Sequence, residues 1–146
     1  LLFIEAETGL YPAKAVYVDS GADLAVLTVS EDMRMKAIPL RKANQRDVKV
    51  GTDVVYSGFP NDAELLTIEG YIAGKHGRGF LYMHSYGWSG ASGSSVFDKE
   101  GRLVGILVAL DVGPGIMGMP NIIEDVVIVV PIWLLDFSVL DKNLNQ

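Results

Sequence analysis

The sequence predicts an all-β fold, and three observations predict it. The apolar residues come in short runs, most of them alternating with polar ones, which is the spacing of half-buried strands. Sixteen glycines and six prolines are spread along the 146 residues and punctuate those runs. Apolar residues recur at helical spacing only close to the C-terminal end, at Ile132, Leu135 and Val139. A chain of this length that is 49% hydrophobic can bury a sizeable core.

In chain order, Leu1 to Ala6 reads as a strand and Glu7–Thr8–Gly9 as its turn. Ala13 to Asp19 alternates as a second strand. Ser20–Gly21–Ala22 then leads to Asp23 and the apolar run Leu24 to Val29, a strand of the buried type. Ile38–Pro39–Leu40 and the polar Arg41 to Arg46 read as a crossover. Val48 to Pro60 supplies a turn, a strand and a G-F-P stop, and Leu65 to Lys75 another strand. The GKHGRG segment is a hairpin turn rather than a phosphate loop, because no helix pattern follows it and the spacing is wrong. Gly79 to Ser85 forms the next strand. The strand from Arg102 to Leu110 follows a turn at Lys99–Glu100–Gly101. Asp111 to Asn121 reads as a glycine- and proline-rich loop, Val126 to Pro131 as the last strand, and Ile132 to Leu140 as a short helix.

Composition excludes several classes of function. A net charge of −6 with no basic run argues against a nucleic-acid surface. The absence of cysteine excludes disulfides and thiolate metal sites, and two histidines give poor support for zinc. The longest apolar run, Val126 to Leu135, is too short for a helical membrane span and has Pro131 inside it. Localisation is not legible. The chain opens on Leu1 without an initiator methionine or a signal-peptide pattern, so the expected polypeptide begins upstream.

The chemistry concentrates in GWSGASGSSVFD, Gly87 to Asp98. Small residues around Ser92 let the backbone make a tight loop that exposes the hydroxyl. Gly90, two residues earlier, can turn its N–H toward the same spot as the N–H of Ser92, and two convergent donors are what a developing oxyanion needs. Taken alone, the stretch fits a glycine- and serine-rich hairpin without chemistry equally well. Asp23, ahead of LAVLTV, is likewise either a functional carboxylate or an aspartate capping a strand start.

Together, DLAVLTV and the Ser92 loop 69 residues downstream resemble the trypsin-like serine peptidases, closest to their cysteine-free HtrA-like and viral branches. The G-F-P and T-x-x-G-x-I segments, the V-G-I strand after the loop and the strand–Pro–helix ending are similar too. The G-x-S-x-G elbow of α/β-hydrolases fits less well, since Ala91 and Ser94 stand where that elbow requires glycine. The resemblance implies a two-barrel trypsin-like fold with a short C-terminal helix. Residues 1–46 would be the remainder of an incomplete N-terminal barrel, and 47–146 the second barrel with that helix. It further implies a serine endopeptidase, a hydrolase working through an acyl-enzyme at Ser92. Asp23 would orient the base, and the N–H groups of Gly90 and Ser92 would form the oxyanion hole. Leu107–Val108–Ala109 would pair with substrate, with Tyr86 at the base of a pocket walled by Trp88 and Ala109. No cofactor and no metal is implied.

Three departures qualify this picture. Ala91 stands where activation-dependent relatives carry an aspartate, so Leu1 is not expected to be an activating terminus. Gly93–Ser94–Ser95 replaces the Gly-Gly-Pro of many relatives. Above all, the base is missing, because no histidine precedes Asp23. His76 lies in the GKHGRG turn, where a solvated histidine is expected. His84 is eight residues before Ser92, which does not place it beside Asp23. Three explanations stand open: a histidine in an absent N-terminal segment, a cleaved chain, or a peptidase fold that binds without cutting. The expected partners are therefore a peptide or protein substrate and the chain's own N-terminal segment. The alternative function is a non-catalytic binding or structural module lacking the general base.

Overall fold

The computed structural model describes residues 1–29, 39–59, 64–113 and 121–144, side chains at 109–113 and 121–124 excepted. It resolves into two compact units, one of Leu1–Pro39 with Leu135–Gln146 and one of Leu40–Leu134.

The first unit holds an antiparallel sheet of three strands in the order β1-β2-β3: β1 (Leu2–Ala6), β2 (Gly9–Asp19) and β3 (Leu24–Val29). The turn at Glu7 and Thr8 sets the β1–β2 register, Leu2 opposite Ala13 through Ala6 opposite Gly9. A bulge between Ala15 and Tyr17 interrupts the pairing of β2 with β3. The Val16 carbonyl at that bulge accepts a hydrogen bond from Asn143 Nδ2 at 2.7 Å, which ties β2 to helix α1 (Phe137–Leu144). The helix thus starts later than the expected Ile132. Asp136 is the reason: its Oδ1 accepts the N–H groups of Ser138 (3.0 Å) and Val139 (3.2 Å), so it caps a helix beginning at Phe137. Ile132–Leu134, which the apolar spacing assigned to the helix, forms a separate 3₁₀ turn in the second unit.

The second unit is a closed barrel, β4-β5-β6-β9-β8-β7, which leaves no free sheet edge around the ring. Its strands are β4 (Asp53–Gly58), β5 (Leu66–Lys75), β6 (Leu81–His84), β7 (Ser95–Asp98), β8 (Leu103–Gly113) and β9 (Asn121–Pro131). Strand alternation turns Val54 and Tyr56 of β4, Val96 of β7 and Val127 and Val129 of β9 into one core with Ile72, Met83 and Leu107. Each fully buried side chain of this size contributes roughly 1.5–3 kcal/mol. Strands β8 and β9 run further than expected. Pairing continues through Val112 opposite Ile122 and Gly113 opposite Asn121, inside the stretch the glycines and prolines mark as loop.

At Gly105, β8 lies close against β9. A Cβ there would run into the Val130 carbonyl and stand 2.9 Å from Val129 Cγ1. Gly105→Ala is expected to destabilise the protein by about 1–3 kcal/mol through overpacking, read as a lower urea midpoint. An unchanged midpoint would mean that the two strands have slack.

The β7–β8 turn is held by charge. The Asp98 carboxylate, 4% exposed, accepts the Arg102 N–H at 2.8 Å, Arg102 Nε at 2.7 Å and the Glu100 N–H at 3.1 Å. Burial pushes its pKa up, but the Arg102 N–H and guanidinium and the Glu100 N–H together hold it below the ordinary value. A carboxyl whose folded pKa lies below its unfolded one stabilises above the unfolded value and loses that contribution as pH falls through the folded one. Stability is therefore expected to fall below about pH 4, the unfolded carboxyl value. In Asp98→Asn the fall should be shallower; an equally steep acid limb in denaturant titrations would count against this assignment.

Candidate active site

Ser92 sits in the ten residues, Ser85 to Ser94, that join β6 to β7 across the end of the barrel. Gly90 and Gly93 both have φ of +89°, a conformation open to glycine but costly to most residues, which explains why the loop needs them. Short turns form within it: the Ala91 N–H donates to the Trp88 carbonyl and the Ser94 N–H to that of Ala91, each at 3.1 Å. These turns bury Ala91 completely and leave Ser92 exposed. A Cβ on Gly58 would collide with the Ser94 hydroxyl, so the loop rests directly on the end of β4.

The Ser92 hydroxyl donates to the Val108 carbonyl at 3.2 Å. The Gly93 N–H donates to the Leu107 carbonyl at 2.7 Å, and the Leu107 N–H to the Ser94 carbonyl at 2.9 Å. The loop is thus laid along the start of the β8 segment expected to receive substrate. Among the described residues, the N–H groups of Gly90 and Ser92 meet no acceptor. A groove of about 360 Å³ flanks the serine, lined by Ser57, Phe59, Ser92, Ser95 and Phe97 among others, without a charged residue among the described residues.

Tyr86 and Trp88 stack on each other, ring centroids 6.0 Å apart, and are 61% and 42% exposed. The Tyr86 ring therefore stands largely in solvent. The Ala109 side chain lies outside the described residues. In the first unit, Asp23 is exposed and has φ of +54°. The preceding turn is held by a different aspartate, since Asp19 Oδ1 accepts the N–H groups of Gly21 (2.9 Å) and Ala22 (3.0 Å). Local capping thus falls to Asp19. Among the described residues, the Asp23 carboxylate has no hydrogen-bond partner.

Both histidines belong to the region of the β5–β6 hairpin. His76 Nδ1 accepts the Arg78 N–H at 3.3 Å, and its ring stacks on Phe80. His84 stacks on Tyr71 at 5.0 Å across the strand pair. Neither one hydrogen-bonds to Ser92 among the described residues. No group of metal-ligating side chains is present among them either. What the sequence did not reveal is Tyr56, whose hydroxyl donates to the Tyr86 carbonyl at 2.6 Å. A tyrosine in an alternating strand carries no signal of where its hydroxyl ends.

Comparison with known proteins places this geometry. The chain is similar along its length to the serine endoprotease from Yersinia pestis, at 23% identity and a TM-score of 0.71, covering 99% of this chain and 48% of that one. It is also similar to the HtrA-type protease AlgW solved with a decapeptide, at 21% identity and a TM-score of 0.73, covering 99% and 44%. A mutant protein from M. tuberculosis H37Rv in its inactive form shares 19% identity at a TM-score of 0.67, covering 99% and 70%. These likenesses show a chymotrypsin-like fold, and the chain spans about half the length of the first two structures. No curated protein matches it in sequence. The model of the trypsin-like peptidase domain matches residues 2–106, well over half of the chain, and the chain belongs to that family.

Proposed function

We propose that this chain is part of a serine endopeptidase that cuts peptide or protein substrates through an acyl-enzyme at Ser92. The observation that carries the proposal is the loop itself: an exposed serine hydroxyl beside two N–H groups without a partner among the described residues. Both residues are exposed, which leaves their N–H groups open to a ligand, and a developing oxyanion is what two such donors stabilise best. Membership of the trypsin-like peptidase family supports the same chemistry.

In this mechanism Ser92 Oγ leaves the Val108 carbonyl, gives its proton to a base and attacks the scissile carbonyl. The Gly90 and Ser92 N–H groups hold the oxyanion. Asp23 orients the base and stabilises its cation. The base is a histidine carried on the chain's own N-terminal segment, the protein partner this chemistry requires. The strands of Leu1–Pro39, with helix α1 beside them, then belong to the first barrel and Leu40–Leu134 to the second, so the helix does not go with the second barrel as the 1–46 and 47–146 division expected. Substrate lies along Val108 and Ala109 as an added strand past the end of β7; Leu107, expected to pair with it as well, already has its N–H and carbonyl bonded to Ser94 and Gly93.

Tyr86 and Trp88 then meet the side chain before the cut. No carboxylate falls at these positions, so a Lys or Arg there would find no partner, and apolar residues are preferred. Cleavage profiling on a peptide library tests this; a dominant preference for Lys or Arg would exclude it. The activity itself is tested by labelling the full polypeptide with a fluorophosphonate. Stoichiometric labelling at Ser92 is expected, and none at all would end the enzyme proposal.

A further inference from the structure

The residues from Ser85 to Ser94 belong to no strand, yet they carry both the hydroxyl and the N–H groups of the proposed site. Besides the buried Ala91 and the Ser92 hydroxyl's bond to Val108, their fastenings to the barrel are gathered at the two ends. At the entry, the Ser85 N–H donates to the Asp125 carbonyl and its hydroxyl to the Glu69 carbonyl, each at 2.9 Å. At the exit, Gly93 and Ser94 bond to Leu107. The last backbone fastening before Gly87 is the 2.6 Å hydrogen bond from the Tyr56 hydroxyl to the Tyr86 carbonyl.

Tyr56 is fully buried in β4, and its main chain lies opposite Val96 of β7, the second strand residue after the loop. One residue thus grips both sides of the Ser92 loop, the exit through its backbone and the entry through its hydroxyl. Packing accounts for the ring, which phenylalanine would supply equally well. It does not account for the hydroxyl, whose role here is to reach the one carbonyl. Burial also raises its pKa, so it remains a donor at any ordinary pH.

Resting on the assignment of Ser92 as nucleophile, we infer that Tyr56 is a positioning residue for the oxyanion donors. It acts through the Tyr86 carbonyl and does not touch substrate. Donors aimed at a developing charge work only when they are fixed before the reaction, and slack in such a loop lowers rate without weakening ground-state binding. The hydroxyl removes slack from the entry side of the loop, past the end of β6.

Tyr56→Phe in the full polypeptide is the test. Fluorophosphonate labelling is expected to slow by roughly tenfold, and peptide kcat to fall by a similar factor with KM unchanged. Backbone order parameters from NMR should drop at Gly87, Gly90 and Ser92 while those of β4 and β7 hold. Unchanged order in the loop would overturn the inference, as would order lost equally across the barrel, since the hydroxyl would then serve the fold alone. A labelled wild type with an equally reactive variant sinks this inference only. An unlabelled wild type sinks the assignment of Ser92 first, and this inference with it.

Discussion

Ser92→Ala in the full polypeptide is expected to lower peptide hydrolysis by roughly a millionfold, the scale on which loss of a serine nucleophile acts. The substitution removes one oxygen from an exposed position, and that oxygen's only hydrogen bond among the described residues is the 3.2 Å bond to the Val108 carbonyl. Thermal stability should therefore be almost unchanged. Under the proposed binding mode, peptide affinity should also survive, because the backbone of β8 and the Tyr86–Trp88 pair remain. The prediction is a variant that folds and binds but does not cut, checked by kcat, by a binding isotherm and by the loss of fluorophosphonate labelling. A non-catalytic module would behave differently: wild type and variant would bind alike and neither would label. A variant retaining a tenth of wild-type turnover would mean that another group, with Ser89, Ser94 and Ser95 the nearest hydroxyls in sequence, is the nucleophile.

Strands and turns were the most legible part of this molecule. The apolar run placed β3 at Leu24 to Val29 to the residue but not its burial: a strand of the buried type was expected, while its residues are half-buried or exposed. The turn at Lys99 to Gly101 was legible for a similar reason, since Gly101 adopts a φ of +69° that favours glycine. The helix start was misplaced because apolar spacing at Ile132 and Leu135 continues through a residue, Asp136, whose side chain bonds the backbone better from outside the helix than from within. The ends of β8 and β9 were shortened because backbone pairing tolerates glycine when a long neighbouring strand continues the ladder.

The site was legible in its loop and not in its supports. Glycines at 90 and 93 announce a backbone that ordinary residues cannot adopt, and both do have positive φ. The grip of Tyr56 depends on side-chain reach between elements 30 residues apart, which one-dimensional spacing does not encode. Tyr86 shows the converse. The resemblance put Tyr86 at the base of a pocket, a role its position in the loop does not reveal; its ring stacks on Trp88 and is 61% exposed.

Asp23→Asn is expected to lower kcat by roughly ten-thousandfold, with KM little changed, as loss of the orienting carboxylate in a serine triad does. Asparagine is the right replacement because Asp23 has φ of +54°, and Asn and Asp are the non-glycine residues that best tolerate this region. Alanine would add backbone strain and confuse a folding defect with a chemical one. The turn should also survive, since its N–H groups are held by Asp19. An amide in place of the carboxylate keeps the shape but no longer stabilises the imidazolium or fixes its tautomer. The defect should therefore lie in the chemical step and appear as slower fluorophosphonate labelling at unchanged thermal stability. Asp19→Asn is the internal control: it alters the aspartate that holds the turn, so any effect should fall on stability rather than turnover. If Asp23→Asn keeps kcat within threefold of wild type, the carboxylate has no part in the reaction, and the DLAVLTV segment is a strand start and nothing more.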